Sequence, residues 1–310
     1  MELHLRGRTV LVTGASKGIG LGIAQCFAQE GCHLRLVARS GDLLAREAEA
    51  LRTSCDVDVQ TLALDLSTEA SRQRLTDAWP DIDVLVNNAG DIPGGAIDAV
   101  DDAAWRAGWD LKVFGYLALT RFYLAQMQAK RRGVIINVIG AAGERPFAQY
   151  LAGAMGNSSL MAMTMALGAD SPRYGVRVVG VNPGPIATER VIRLARGWAQ
   201  NTLGDADRYE ELLKQYPFGR AGAVDEVAPT VVFLASARSS YTRGAPTTRE
   251  RTGVSRTRGL RPNHRGSPPF LLTGALRQVC RPLSSGPRPR LEWPGTRQAG
   301  GGTTTRLVKQ

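Results

Sequence analysis

Cysteine and histidine are scarce in this chain of 310 residues: four cysteines, at 26, 32, 55 and 280, and three histidines, at 4, 33 and 264. The cysteines have no paired spacing, which argues against a disulfide framework or a zinc ribbon. A reduced, cytoplasmic setting is expected, with Cys26, Cys32 and Cys55 serving as small hydrophobes. The histidines sit before the first strand, inside the first crossover and near the far end. Neither a metal site nor a histidine-based triad is expected from them. Apolar runs are interrupted by charge or fall short of the roughly 20 residues of a membrane span, so no membrane partner is expected. The opening Met-Glu-Leu-His-Leu-Arg-Gly-Arg leads straight into a strand, unlike a secretory leader.

Acidic residues are nearly missing from one end. From Ser236 onward there are 15 Lys or Arg, only two acidic residues (Glu250 and Glu292), and 8 of the 16 prolines. That leaves 24 basic and 26 acidic residues in 1–235, so the whole formal net charge of +11 belongs to the last 75 residues. The body is near neutral, and its evenly spread apolar runs exclude a collagen-like or mainly disordered chain.

Within the body, short β-rich runs alternate with amphipathic segments. Strands are expected at 9–12, 34–37, 57–64, 84–86, 134–138 and 176–181. Helices are expected at 19–30, 42–52, 69–79, 109–130, 154–167 and 226–234. Strands separated by helices of ten or more residues require crossovers and a mainly parallel sheet. The expected fold class is α/β, doubly wound and Rossmann-type, as a single domain over 1–244. Segment 188–216 reads as an irregular helical insertion broken at Gly197 and Gly204. It would lie beyond the carboxyl ends of the strands, where it acts as a substrate lid or simply as a surface helical pair.

The segment Thr13-Gly14-Ala15-Ser16-Lys17-Gly18-Ile19-Gly20 follows a strand and opens a helix. Glycines there let the backbone approach a pyrophosphate, whose charge the helix N-terminus favours, so a dinucleotide site is expected. After the second strand stand Ala38 and Arg39 rather than an acidic residue. Arg39, with Lys17, can pair with a 2′-phosphate, which favours NADP as cofactor, NAD being the alternative. Asp65 is placed to accept from an adenine amino group or to cap the next helix.

These residues resemble the short-chain dehydrogenase/reductase family. Besides the glycine segment, Asp65-Leu66 is similar to its adenine-side motif, Asn87-Asn88-Ala89-Gly90 to its fourth-strand motif, and Asn182-Pro183-Gly184-Pro185 followed by Ile186 and Thr188 to its nicotinamide-side loop. The resemblance covers roughly 6–244. It implies a cofactor site made of Thr13, Gly14, Ser16, Lys17, Gly18, Ile19, Gly20, Arg39, Asp65, Leu66, Asn88, Ala89, Gly90, Pro183, Gly184, Ile186 and Thr188. It also implies assembly as a homodimer or homotetramer through the helices at 109–130 and 154–167, the second carrying Met155, Met161, Met163 and Met165.

The family uses Asn, Ser, Tyr and, four residues on, Lys. The matching positions here hold Lys112, Gly140, Gly153 and Asn157. A tyrosine stands nearby at 150, but residue 154 is Ala. The expectation is that Tyr150 enters the pocket from another angle as proton donor. Lys112 would hold the developing alkoxide or tune the phenol, and Asn137 and Asn157 would position a carbonyl or a water. For Tyr150 the alternative is a locally satisfied core or lid tyrosine, and for Lys112 an ion pair, for instance with Asp110. Phe147, Trp198 and Phe218 point to an apolar or aromatic substrate.

The expected activity is interconversion of a secondary alcohol and a ketone; the alternative is a nucleotide-binding member that acts without redox turnover. The basic segment 245–310 lacks aromatic–basic interleaving and any helix register or zinc pattern, so specific nucleic-acid binding is not expected. It reads as a disordered extension or as the product of a reading-frame shift. The resemblance fades at 239–244, so a final sheet strand is expected to be missing, leaving an exposed edge.

Overall fold

The structure is a computed structural model that describes residues 1–216, 218–244 and 246–248, the last three through their backbone. The segment 245–310, expected to be a disordered extension or the product of a reading-frame shift, lies outside the described residues apart from 246–248. Seven parallel strands form one sheet in the order β3-β2-β1-β4-β5-β6-β7: β1 Thr9–Thr13, β2 His33–Ala38, β3 Val59–Ala63, β4 Val84–Asn87, β5 Gly133–Val138, β6 Val176–Asn182 and β7 Pro246–Thr248. The helices are α1 Gly18–Gln29, α2 Gly41–Ser54, α3 Glu69–Ala78, α4 Asp102–Trp109, α5 Gly115–Lys130, α6 Leu151–Asp170, α7 Glu189–Leu203, α8 Tyr209–Leu213 and α9 Ala228–Ala235.

Alternation along each strand feeds two hydrophobic layers. Val10 and Val12 join Ile23 and Phe27 of α1, Leu44 of α2 and Val231 of α9 on one face. Leu11, Leu85, Ile135 and Val178 join Leu75 of α3 and Leu119, Tyr123 and Met127 of α5 on the other. Strands covered on both faces must be apolar at nearly every position, which is why they stand out in the sequence. The strand order reverses between β1 and β4, the place where sheets of this kind form a crevice at the carboxyl ends of their strands.

The fold class agrees with the sequence reading, and four details differ. The helix expected at 109–130 is α4 and α5 joined by a π-turn over Asp110–Phe114. Asp101 starts α4 by accepting from the Ala104 N–H at 2.7 Å. The helix expected from 154 starts at Leu151. Gly197 does not break α7, because a single mid-helix glycine costs only about 1 kcal/mol, while the break does fall at Gly204, whose φ of +74° is left-handed. Finally, the place expected to be empty beside β6 is filled: Pro246, Thr247 and Thr248 pair with Gly180, Val181 and Asn182. Backbone pairing asks only for extended geometry, and proline is tolerated at the first residue of an edge strand.

Candidate active site

The turn between β1 and α1 is built for an anion. Gly14 and Gly18 adopt φ of +67° and +58°. A β-carbon on Gly20 would lie 2.2 Å from the Gly14 carbonyl, so the turn closes only around glycine. Lys17, at the N-cap of α1, makes no side-chain cap, and the first turn carries no acidic residue. The free N–H groups there fit a phosphate. Thr13 and Asn88 lock the turn to β4: Thr13 Oγ1 accepts from the Asn88 and Ala89 N–H groups at 2.8 and 3.0 Å, and Asn88 Nδ2 donates to the Thr13 carbonyl at 2.9 Å. Ser16 is buried, and Ile19 packs against the core beside β1.

On the flank of the crevice, Arg39 is half exposed and lies 3.6 Å from Asp91. Asp65 is exposed and accepts from the Ser67 N–H at 3.0 Å, while Thr68 caps α3; Leu66 beside it is buried. On the other side, the Pro183 carbonyl accepts from Ala141 N–H at 3.0 Å, and Ile186 bridges to Gly222. Gly184 lies between them. Thr188 caps α7, and its Cγ2 would be 3.2 Å from a β-carbon on Gly18, which brings the loop after β6 against the glycine turn. Lys17 is paired with Glu189 at 2.6 Å, and that cation holds the Glu189 carboxyl below its ordinary range.

Deeper in the crevice, Tyr150 stands at the N-cap of α6. Gly95 N–H donates to Gln149 O at 2.8 Å and fixes the approach. A β-carbon on Gly153 would fall 2.0 Å from Tyr150 Cζ, so the phenol ring fills the space into which a side chain at 153 would project. Likewise, a β-carbon on Gly140 would lie 2.9 Å from Asn157 Nδ2. Asn157 is buried, and its Oδ1 has no partner among the described residues. Two other phenols are fully buried. Tyr116 and Tyr123 donate to Val138 O and Trp79 O, and burial raises both well above the ordinary phenol range. Tyr150 is half-buried, and its oxygen accepts from Arg190 Nη2 at 3.1 Å.

Lys112 sits in the π-turn, a form of helix frequent at functional sites. Its stem runs under Gly90, where a β-carbon would meet Lys112 Cδ at 2.8 Å. Its ammonium donates to Ile139 O at 2.5 Å. No carboxylate is paired with it among the described residues. Burial, and then the charge of Arg190, pull the amine down to about 7. Asn137 lies elsewhere. It is fully buried, accepts from Asn87 Nδ2 and donates to Thr164 Oγ1, both at 2.9 Å, so its amide ties β4, β5 and α6 together inside the core.

Aromatic residues wall one side. Phe147 stacks on Tyr150 with ring centroids 5.9 Å apart and meets Trp198 of α7 edge-on at 5.7 Å, whereas Phe218 is 81% exposed and contributes no ring contact among the described residues. Neither Arg190 nor Asp91 belongs to a motif visible in the sequence. Arg190 Nη1 binds Asp91, Nη2 donates to Ile92 O at 2.8 Å, and Arg193 lies 3.4 Å from the same carboxylate. Pairing residues a hundred positions apart leaves no local signal. Among the described residues there is no cluster of three metal-ligating side chains, and no helix is long and apolar enough to cross a membrane.

Residues 8–197 match the family model described as short chain dehydrogenase. The galactitol 2-dehydrogenase (L-tagatose-forming) of Cereibacter sphaeroides is 31% identical over 246 residues, 78% of this chain and 93% of that one. The 3-oxoacyl-(acyl-carrier-protein) reductase of Vibrio cholerae is 32% identical over 248 residues, 78% of this chain and 95% of that one. Among solved structures, L-sorbose reductase from Gluconobacter frateurii, complexed with NADPH and L-sorbose, superposes with a TM-score of 0.73 at 30% identity, over 81% of this chain and 97% of that one.

Proposed function

Because the chain belongs to the short-chain dehydrogenase/reductase family, an enzyme family of NAD(P)-dependent oxidoreductases, we propose that it interconverts a secondary alcohol and a ketone with NADP(H), using Tyr150 as the proton donor and acceptor. The observation that carries this reading is the place of the Tyr150 ring, which takes up the space a side chain on Gly153 would need. The divergent positions are thereby refilled from neighbouring ones. Tyr150 stands in for a side chain at 153, and the Asn157 amide occupies the space beside Gly140.

The uncapped α1 N-terminus and the glycine turn would hold the pyrophosphate. Thr188 and the loop after β6 would face the nicotinamide, and Asp65 the adenine. Arg39, half exposed, is free to exchange Asp91 for a 2′-phosphate. NADPH bound to the sorbose reductase supports this choice. When bound, the cofactor supplies or accepts the hydride. In the reducing direction the Tyr150 O–H breaks and its proton goes to the carbonyl oxygen as the carbon receives hydride; the phenolate left behind regains a proton from water. The Lys112 ammonium would stabilise negative charge on that oxygen.

The Phe147–Trp198 wall supports an apolar or aromatic substituent on the substrate. We also infer that 188–216 acts as the lid, since its first turn is pinned across the crevice by Lys17, Asp91 and Tyr150. The exposed Phe114, Leu117, Met155 and Met165, at the end of the π-turn, at the start of α5 and along α6, support assembly with further copies. Tyr150→Phe is expected to lower kcat about 100-fold or more while NADPH binding, followed by its fluorescence, stays unchanged. Wild-type turnover in that variant would refute the assignment. Tight NADPH binding without turnover of any carbonyl in a broad panel would favour a member that acts by binding alone.

A further inference from the structure

The twenty residues of α6 contain no lysine or arginine, and the residue one turn beyond Tyr150 is Ala154. Any cation that serves the phenol must therefore come from another element. Arg190, in the first turn of α7, reaches it. Its guanidinium is held by two contacts, Nη1 on the Asp91 carboxylate and Nη2 on the Ile92 carbonyl at 2.8 Å. The same Nη2 donates to Tyr150 Oη at 3.1 Å. Arg190 is 29% exposed, so its charge is partly withdrawn from water.

Resting on the reading of Tyr150 as proton donor, we propose that Arg190 is its positioning residue, a cation supplied by the lid in place of one on α6. A guanidinium has donors and no acceptor, so it can meet the phenol only at an oxygen lone pair. That leaves the phenol hydrogen free to point at a substrate oxygen, and it places a fixed positive charge beside the phenolate formed when the proton leaves. The loop after β4 sets both partners: Ile92 O fixes Arg190, and Gly95 N–H fixes the segment leading into Tyr150 through Gln149 O. The charge of Arg190 also adds to burial in holding the Lys112 amine down. The donor is thus assembled only while the start of α7 is seated on Asp91.

The test uses the full chain labelled with 13Cζ-tyrosine, the Tyr150 resonance being identified by its loss in Tyr150→Phe. Arg190→Met is expected to move that resonance, and Arg190→Lys to return it toward the wild-type position. With 1-phenyl-1,2-propanedione as probe, Arg190→Met should lower kcat about 10-fold or more, Arg190→Lys should recover part of it, and the KM for NADPH should change less than about threefold. A Tyr150 resonance unmoved in Arg190→Met overturns the proposal. So does a resonance that moves while kcat stays at the wild-type value. Should Arg190→Met fail to fold, Arg190→Gln carries the same two measurements. Full turnover in Tyr150→Phe would overturn the proton-donor reading itself, a result separate from the spectroscopic arm, which still reports whether Arg190 holds the phenol.

Discussion

Lys112→Met should make the protein more stable and less active. Methionine keeps an unbranched stem under Gly90 and removes the enclosed charge. An amine whose ordinary value is 10.5 sits at about 7 in the folded chain. At 1.36 kcal/mol for each tenfold change in proton affinity, holding the charged form in the fold costs about 5 kcal/mol relative to the unfolded chain. Between about pH 7 and pH 10.5 the unfolded chain keeps this proton and the folded chain has released it, so the contribution of Lys112 to stability rises with pH across that window. Below about pH 7 the full cost is present. Against this, the variant leaves Ile139 O without its donor, a loss of about 1–3 kcal/mol. The net gain at pH 6 is then about 2–4 kcal/mol, and it should vanish or reverse near pH 10. Urea unfolding of both proteins at pH 6, 7, 9 and 10 measures the difference. Equal stability at pH 6, or a difference that does not change with pH, would refute the reasoning and show that water reaches the ammonium. Turnover should fall together with the gain in stability, as expected where a group is held at a cost for its chemistry.

Two further substitutions probe the site from its edges. Gly153→Ala puts a β-carbon 2.0 Å from Tyr150 Cζ, so the ring must leave its place; kcat is expected to drop about 100-fold with NADPH affinity retained. Wild-type kinetics in that variant would show that the phenol position does not matter. Arg39→Ala removes the one cation at the end of β2 and should weaken NADPH binding about 10- to 100-fold while NADH binding hardly changes, as fluorescence titration would read. An equal loss for both cofactors would place Arg39 away from the 2′-phosphate.

How much of this was legible in the sequence depends on the range of the interaction. The parallel sheet was legible because strands covered on both faces must be apolar throughout, as in Val10, Leu11 and Val12. The glycine turn after β1 was legible because its constraints, such as the missing room beside Gly20, act within a few residues. The π-turn at Asp110–Phe114 was not, since one extra residue in a helical turn leaves the apolar pattern on either side nearly unchanged. Asn137 read as a pocket amide, and the fold places it in the core between Asn87 and Thr164, a distinction that burial makes and residue type does not. The strand at Pro246–Thr248 was hidden for a related reason: its pairing is made by backbone, and its side chains carry no apolar pattern.

By itself, then, the sequence determined the alternation of strands and helices, the glycine turn after β1, and the identities of Lys112, Gly140, Gly153 and Asn157. What surrounds those residues was decided in three dimensions. That Tyr150 fills the space beside Gly153, that Asn157 lies against Gly140, and that Arg190 reaches the phenol from forty residues away all depend on which surfaces pack together. Local chemistry is written in neighbouring residues. The convergence of side chains on one crevice exists only once the sheet, the loop after β4 and α7 have closed around it.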